Sequence, residues 1–210
     1  MNLVQTNTSC RQSSRLTLTV LICCLMLLLC CGLRAEDLAD ADDAFDRGEF
    51  VTAFELYEAL ANEQDPSATY RLGLMHEQGL GTDVDAALAV SWYQKAQALE
   101  SPEAITALAA LHFRGIGVIQ NFKESFRLNI SAAESGYAPA QYNLAVAYAN
   151  GVGTFRDPVR AHMWFNIAAA NGYSNAAQSR DRLASGMAEA EVNRAQQRAK
   201  ACIDLNLLGC

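Results

Sequence analysis

Small and apolar residues recur along this chain at a fixed interval of 36 residues, together with glycines. Five columns repeat in three copies: Ala68, Ala104 and Ala140; Leu72, Leu108 and Leu144; Gly79, Gly115 and Gly151; Gly81, Gly117 and Gly153; Ala96, Ala132 and Ala168. A period of this length is typical of a solenoid, in which each unit buries its apolar face against its neighbours. The pattern therefore predicts an array of repeated units over residues 65–173.

Within each unit, the apolar spacing and the turn residues predict two helices joined as a hairpin. Helix A is expected to begin after Asp65 and Ser101, because each is a good N-cap followed by proline. It is expected to end at the first glycine of each pair, which can take the left-handed conformation. The second glycine is expected to let the loop pass close to a neighbouring backbone. Helix B is expected to begin after the N-cap residues Asp85, Asn121 and Asp157.

The segments on either side of the repeats are predicted to close the array. Residues 36–64 are predicted to form an N-terminal capping helix pair around the turn at Gly48. Residues 174–210 are predicted to form a half-repeat that begins near Asn175, followed by a last helix from Glu189 to Cys202. That helix is rich in polar residues, as suits the end of a solenoid.

The first 35 residues predict a secretory signal peptide. Arg11 and Arg15 precede the uncharged apolar run 16–33, and Ala35 supplies a small residue at the expected cleavage site. An uncleaved membrane anchor is the alternative, since a run of this length is near the minimum for crossing a bilayer. A lipoprotein modified at Cys30 or Cys31 is a third interpretation. All three place the repeats outside the cytoplasm, either periplasmic or secreted, or anchored at the inner membrane.

The charge of the remaining chain argues against nucleic acid as a partner. Residues 36–210 contain 13 basic and 23 acidic residues, a net charge of −10. A polyanion does not neutralise phosphate groups and is not attracted to an anionic membrane surface. Neither nucleic acid nor a membrane beyond the N-terminal segment is therefore expected as a partner.

Cys202 and Cys210 are the two cysteines that follow the leader; the other five lie within it. In an oxidising compartment, a pair so close together predicts a disulfide bond. Two free thiols on a frayed tail are the alternative.

The columns together spell A-x-x-x-L-G/A-x-x-H/Y-x-x-G-x-G, followed by A-x-x-W-Y/F-x-x-A, with Leu72-Gly73 and Trp92-Tyr93 as the clearest instances. This pattern resembles the Sel-one-like repeat family, which is related to the tetratricopeptide repeat, over residues 39 to about 200. The resemblance implies an all-α, right-handed α/α solenoid and a scaffold role in protein complexes. Repeat 2 departs most from the pattern: Leu128-Asn129 replaces the Trp-Tyr pair, and Ala109 replaces the glycine.

The chain offers few groups for catalysis or metal binding. His76 and His112 share a column with Tyr148, which the resemblance assigns to packing between helices, and His162 stands alone on helix B. Trp92 and Trp164 are likewise expected in the core. No catalytic residue, metal or cofactor is therefore predicted. The alternative class is a secreted hydrolase or β-lactam-binding protein of the cysteine-rich repeat type, but the chain lacks a cysteine pair in each repeat and lacks a Ser-x-x-Lys motif.

The resemblance also implies that the A helices line a concave face that holds a protein or peptide. The binding residues expected on this face flank the Leu72 column: Tyr70, Leu74, Glu77, Gln78, Thr106, Ala110, Phe113, Arg114, Tyr142, Val146 and Asn150. Such a mixed apolar and amide surface suits an extended peptide or a partner helix, with the aromatic residues as anchors. The function expected is that of an exported, non-enzymatic scaffold at the bacterial cell envelope or in the periplasm.

Overall fold

The computed structural model describes residues 37–210, and the part of the chain that it describes is all helical. The predicted signal peptide and its five cysteines lie outside these residues. The helices are α1 (37–46, as far as it is described), α2 (Phe50–Asn62), α3 (Pro66–Gln78), α4 (Ala86–Ala98), α5 (Pro102–Arg114), α6 (Phe122–Glu134), α7 (Ala138–Asn150), α8 (Pro158–Ala170), α9 (Ala176–Ala184) and α10 (Glu189–Asp204).

The helices stack as consecutive hairpins, so the predicted solenoid is confirmed. The three central hairpins are α3–α4, α5–α6 and α7–α8, and each of these helices has 13 residues. Each A helix packs against both the B helix before it and the one after it, and α5 also contacts α3 and α7. The A helices α3, α5 and α7 therefore form one layer. At the C-terminal end, α10 packs against α8.

The predicted helix starts are confirmed by their capping hydrogen bonds. The carboxylate of Asp65 accepts from the backbone N–H of Ala68 at 2.8 Å, and proline follows it at the start of α3. The same arrangement begins α5, where the hydroxyl of Ser101 caps the helix. Asp85, Asn121 and Asp157 cap α4, α6 and α8 in the same way. These bonds satisfy donors that a helix N-terminus would otherwise leave unpaired.

The paired glycines end each A helix and bring its loop against the preceding repeat. Gly115 ends α5 with φ at 70°, in the left-handed region. Gly117 follows at φ 68°, and a Cβ on it would lie 2.5 Å from the carbonyl oxygen of Ala86, the first residue of α4. The corresponding glycines, Gly81 and Gly153, approach the backbones of α2 and α6 just as closely. The expected close approach between loop and backbone is therefore confirmed.

Small residues in the repeat columns allow the helices to pack closely. The column alanines Ala68, Ala104, Ala140, Ala96, Ala132 and Ala168 are fully buried. Larger side chains such as Leu72, Leu108 and Trp164 fill the remaining space, and each is at most 2% exposed. This alternation of small and large residues is what close ridge-into-groove packing requires.

The two tryptophans differ in burial. Trp164 lies in the core, as predicted. Trp92 is only partly buried: it packs at the edge of the N-terminal apolar cluster, and Lys95 Nζ lies 3.7 Å from its ring centroid. The prediction of a core position is therefore wrong for part of the Trp92 ring, because its neighbour Tyr93 takes the fully buried position.

The C-terminal tail folds back onto the array. The sulfur atoms of Cys202 and Cys210 are bonded, with their Cα atoms 5.6 Å apart. Leu207 packs against the core, and the backbone N–H of Gly209 donates to the carboxylate of Glu134 at the end of α6. The bond thus joins α10 to a tail that already contacts two repeats. Between residues 37 and 210, no helix combines the length and the apolar character needed to cross a bilayer.

Candidate functional site

A cavity of about 330 Å³ opens between α5, α6 and α7, and we call it the central cavity. Five of the residues expected on the concave face line it: Ala110, Phe113, Arg114, Val146 and Asn150. The central cavity therefore brings together side chains from two successive A helices, α5 and α7.

A second cavity, of about 450 Å³, lies between α7, α8 and α9, and we call it the C-terminal cavity. Tyr142 lines it, together with Phe165 and Leu183. Val146 and Asn150 line both cavities, so the two lie side by side along α7. We call the combined surface the groove.

The N-terminal residues predicted for this face are held by contacts inside the protein. Arg114 and Glu77 form an ion pair at 2.7 Å between α5 and α3. Glu77 also accepts a 2.8 Å hydrogen bond from the hydroxyl of Tyr93. Burial, assisted by this bond, raises the pKa of Tyr93, so its hydroxyl stays protonated and remains a donor. Tyr70 stacks on the Tyr93 ring with centroids 5.7 Å apart.

The other predicted residues of this region line neither of the two cavities. Leu74 is partly buried and Gln78 is exposed at the end of α3. The hydroxyl of Thr106 donates to the carbonyl oxygen of Pro102 one turn earlier on the same helix. Among the described residues, the groove therefore runs from α5 towards α9.

The three proposed aromatic anchors differ in accessibility. Phe113 is 48% exposed, and its ring contacts Phe122 edge-on at 5.4 Å. Tyr142 is partly buried: its ring stacks on Tyr173 at 4.6 Å and its hydroxyl lies 3.2 Å from that of Ser179. Phe113 is thus the anchor most available to a partner, whereas Tyr70 and Tyr142 also hold the array together.

The sequence prediction missed the contribution of helix B to this surface. Phe122, Ser125, Phe126 and Asn129 of α6 form one wall of the central cavity. The available signal was the departure of repeat 2 from the repeat pattern, where Asn129 replaces an aromatic residue.

His76 and His162 are both buried. His76 is 7% exposed and meets the ring of Phe54 edge-on at 5.5 Å. His162 is 3% exposed, and burial, with Arg180 nearby, lowers its pKa. Across residues 37–210, histidine, cysteine and acidic side chains form no group of three that could hold a metal ion.

The stacked hairpins and the groove along their inner helices define a helical-repeat protein of the tetratricopeptide-like class. The sequence model of the Sel1 repeat matches three consecutive stretches, residues 66–99, 102–137 and 138–173. Together these stretches cover half of the chain, and the chain belongs to the Sel1 repeat family. Proteins with this repeat bind other proteins and are generally non-enzymatic scaffolds.

Two curated fungal relatives are similar to the repeat region. The chain is 34% identical over 139 residues to the chitin synthase regulator SKT5 of Malassezia restricta, a match over 65% of this chain and 10% of that protein. It is 32% identical over 126 residues to chitin synthase regulatory factor 3 of Schizosaccharomyces pombe, over 59% of this chain and 14% of that protein. The chain therefore spans only a small part of the length of these relatives.

Two solved bacterial structures share the fold. A Sel1 repeat protein from Oxalobacter formigenes superimposes with a TM-score of 0.64 at 23% identity, over 69% of this chain and 57% of that chain. A protective antigen of uropathogenic Escherichia coli strains gives a TM-score of 0.67 at 27% identity, over 72% of this chain and 32% of that chain. The predicted right-handed α/α solenoid is thus confirmed.

Proposed function

We propose that this protein is a non-enzymatic scaffold that holds an extended segment of a protein partner in the groove. The observation that carries the proposal is that Val146 and Asn150 of α7 line both cavities, which are therefore neighbours. Two neighbouring cavities can take successive side chains of one extended peptide.

The chemistry of the groove suits a peptide. Phe113, Phe122 and Phe126 offer apolar area, and aromatic residues dominate the energy of many protein interfaces. The amides of Asn143 and Asn150 lie beside them and can pair with a peptide backbone. Arg114 is already paired with Glu77, but Arg156 and Arg182 line the C-terminal cavity, so the groove carries positive charge. We therefore expect salt to weaken the affinity for an acidic segment.

We further propose that the scaffold acts outside the cytoplasm, in the periplasm or at the bacterial cell envelope. The support is the order of charges, apolar residues and a small residue in the first 35 positions. The pair Cys202 and Cys210 fits the same location, since disulfide bonds persist in oxidising compartments. Intact-mass measurement on protein from its native host tests this, with a mature N-terminus near Glu36 as the expected result.

The binding proposal is tested by affinity capture from an envelope fraction with two matched variants. Val146→Arg places a long charged side chain where the two cavities meet, and we expect partner capture to be lost. Leu88→Arg makes the same change at a 45% exposed position of α4 that lines neither cavity, and we expect capture to persist. Equal capture by both variants would place the binding surface elsewhere. Circular dichroism should show that both variants keep the fold.

A further inference from the structure

Two arginines of the C-terminal cavity carry charges that the protein does not balance. Arg156, in the loop before α8, and Arg182 of α9 both line this cavity of about 450 Å³. Both residues are exposed, and neither forms an ion pair within residues 37–210. No aspartate or glutamate is among the residues that line the cavity. Two positive charges therefore share one space that holds no opposite charge of the protein.

Most other arginines of the chain are neutralised by a carboxylate. Within the part of the chain that the structure describes, six form ion pairs: Arg47, Arg71, Arg114, Arg127, Arg160 and Arg180. Arg114, which lines the central cavity, is among them. The positive charge of the groove is therefore concentrated at its C-terminal end.

The guanidinium groups of this cavity keep hydrogen-bond donors available. Nε of Arg156 donates to the carbonyl oxygen of Ala149 at 3.1 Å, which ties the side chain to the end of α7. The two terminal nitrogens of Arg156 donate to none of the residues that the structure describes, and the same is true of the whole Arg182 side chain. Guanidinium N–H groups match the paired oxygens of a carboxylate.

The other polar side chains of the lining are uncharged. The hydroxyls of Tyr142 and Ser179 lie 3.2 Å apart and pair with each other. The hydroxyl of Ser185 donates to the carbonyl oxygen of Arg182. The Asn150 amide offers both a donor and an acceptor, as a peptide backbone requires. The only charges that line the cavity are therefore those of the two arginines.

We propose that the C-terminal cavity binds an aspartate or glutamate side chain of the partner segment, while the central cavity takes an apolar side chain of the same segment. This inference rests on the proposed peptide-binding function and names the residues that the segment must contain. The apolar part follows from Phe113, Phe122 and Phe126 in the central cavity. The acidic part follows from the two arginines, since a carboxylate can accept from both.

The charge distribution along the chain fixes the orientation of this segment. Residues 36–64 contain ten acidic residues and one basic residue, a net charge of −9. Residues 65–210 contain 13 acidic and 12 basic residues, a net charge of −1. An acidic residue is therefore repelled from the N-terminal end of the array and attracted to the cavity at its other end.

The segment comes from a different protein. Residues 1–36 contain three arginines and a single acidic residue, so they match the cavity poorly. A second copy does carry many acidic residues, but those between 37 and 64 belong to the packed helices α1 and α2 and their connections. Such side chains are not part of an extended segment that could occupy both cavities.

The acidic residue is tested with peptides selected on the full chain from a displayed random library. We expect the selected peptides to share an aspartate or glutamate next to an apolar stretch. Replacing that residue by its amide in a synthetic peptide should weaken binding at least tenfold. A phosphoserine in its place that binds at least tenfold tighter than the carboxylate would overturn the assignment to an acidic side chain.

The role of the cavity is tested with Arg182→Gln, which removes one charge and no hydrogen bond of the side chain. We expect this variant to bind the acidic peptide at least fivefold more weakly, and to discriminate less between that peptide and its amide version. Binding should also become less sensitive to salt. Arg198→Gln is the matched control, because Arg198 of α10 is exposed, forms no ion pair within residues 37–210 and lines neither cavity. Equal losses in both variants would show a general charge effect and overturn the assignment.

Two further outcomes separate this inference from the proposed function. Peptides that require Val146 but bind equally well with the amide would leave the groove as a binding surface and overturn the acidic assignment. Selection of no peptide at all would count against both proposals. Sedimentation of the protein alone tests the remaining occupant. Self-association that is lost in Arg182→Gln and kept in Arg198→Gln would place a second copy in the cavity and contradict the assignment to another protein.

Discussion

Gly117 lies against Ala86 of the preceding repeat so closely that a Cβ on Gly117 would be 2.5 Å from the Ala86 carbonyl oxygen. Gly117 also has a positive φ of 68°. The contact joins the loop of one repeat to the first residue of helix B in the repeat before it. Glycine is therefore required there for two separate reasons, its backbone conformation and the space available.

The variants Gly117→Ala and Gly48→Ala separate these two reasons. Gly48 has a similar φ of 77°, but a Cβ there would meet no atom within 4 Å. We expect Gly48→Ala to cost about 1–2 kcal/mol, the usual penalty for a left-handed alanine. Gly117→Ala should cost about 1–3 kcal/mol more, because it also overpacks a backbone contact. Urea unfolding of both variants measures the difference in stability. Equal unfolding midpoints for the two variants would show that the loop at Gly117 and the backbone at Ala86 can move apart.

Leu108 is predicted to be one of the residues on which the stacking of the central repeats depends. It is 2% exposed and belongs to a core cluster that extends over repeats 2 and 3. We expect Leu108→Ala to lower the free energy of unfolding by about 2–5 kcal/mol, the usual cost of emptying a buried leucine site. The control is Val84→Ala at a position that is 68% exposed, where little change is expected. Chemical denaturation of both variants checks the prediction.

His162 is predicted to make the protein less stable in mild acid. Burial lowers its pKa in the folded state, and protonation would place a positive charge near Arg180. The unfolded chain takes up a proton near the ordinary histidine pKa of about 6.5, so it binds more protons than the folded protein in this range. The contribution of His162 is therefore complete above about pH 6.5 and is lost as the pH falls towards its lower folded-state pKa.

The variant His162→Phe isolates this effect, because phenylalanine already occupies the same column at Phe126. We expect the fall in unfolding temperature between pH 7 and pH 5 to be smaller in the variant than in the wild type. Parallel pH profiles for the two proteins would show that His162 does not contribute. Nearby Asp181 opposes the effect of Arg180 on the pKa of His162. In the variant Asp181→Asn, the unfolding temperature should therefore fall more between pH 7 and pH 5 than in the wild type.

The helices and turns could be predicted from the sequence because their causes are local. A capping residue such as Asp85 bonds backbone groups two and three residues away, and Gly115 ends a helix through its own φ. The 36-residue period then fixes the stacking, since identical columns such as the alanines at 96 and 132 must meet equivalent neighbours. These interactions need no knowledge of distant residues.

The groove could be predicted only in part, because its shape depends on side chains from separate helices. Phe113 and Val146 were placed on the concave face by analogy with related repeats, and both line a cavity. The place of Asn129 in the lining could not be read from its own helix, since the walls of the central cavity come from α5, α6 and α7. Likewise, the sequence gives no sign that Tyr142 is held by Tyr173, which follows the next helix.

Phe113 is predicted to be the principal anchor for the partner. Its ring is 48% exposed at the central cavity, so binding can bury a large apolar area without first breaking the core. We expect Phe113→Ala to weaken partner capture at least tenfold, which corresponds to about 1.4 kcal/mol. A titration with the captured partner, followed by fluorescence anisotropy, measures this change.

Two controls make that prediction specific. Phe155→Ala removes the same side chain from a position that is 94% exposed and lines neither cavity, and we expect capture to be unchanged. His76→Phe keeps the ring contact with Phe54 and should also leave capture intact. If Phe113→Ala bound normally while His76→Phe lost its partner, with both variants folded by circular dichroism, the functional surface would lie at the histidine column. The groove would then be a packing feature of repeat 2, because the exposed ring of Phe113 would contribute nothing to binding.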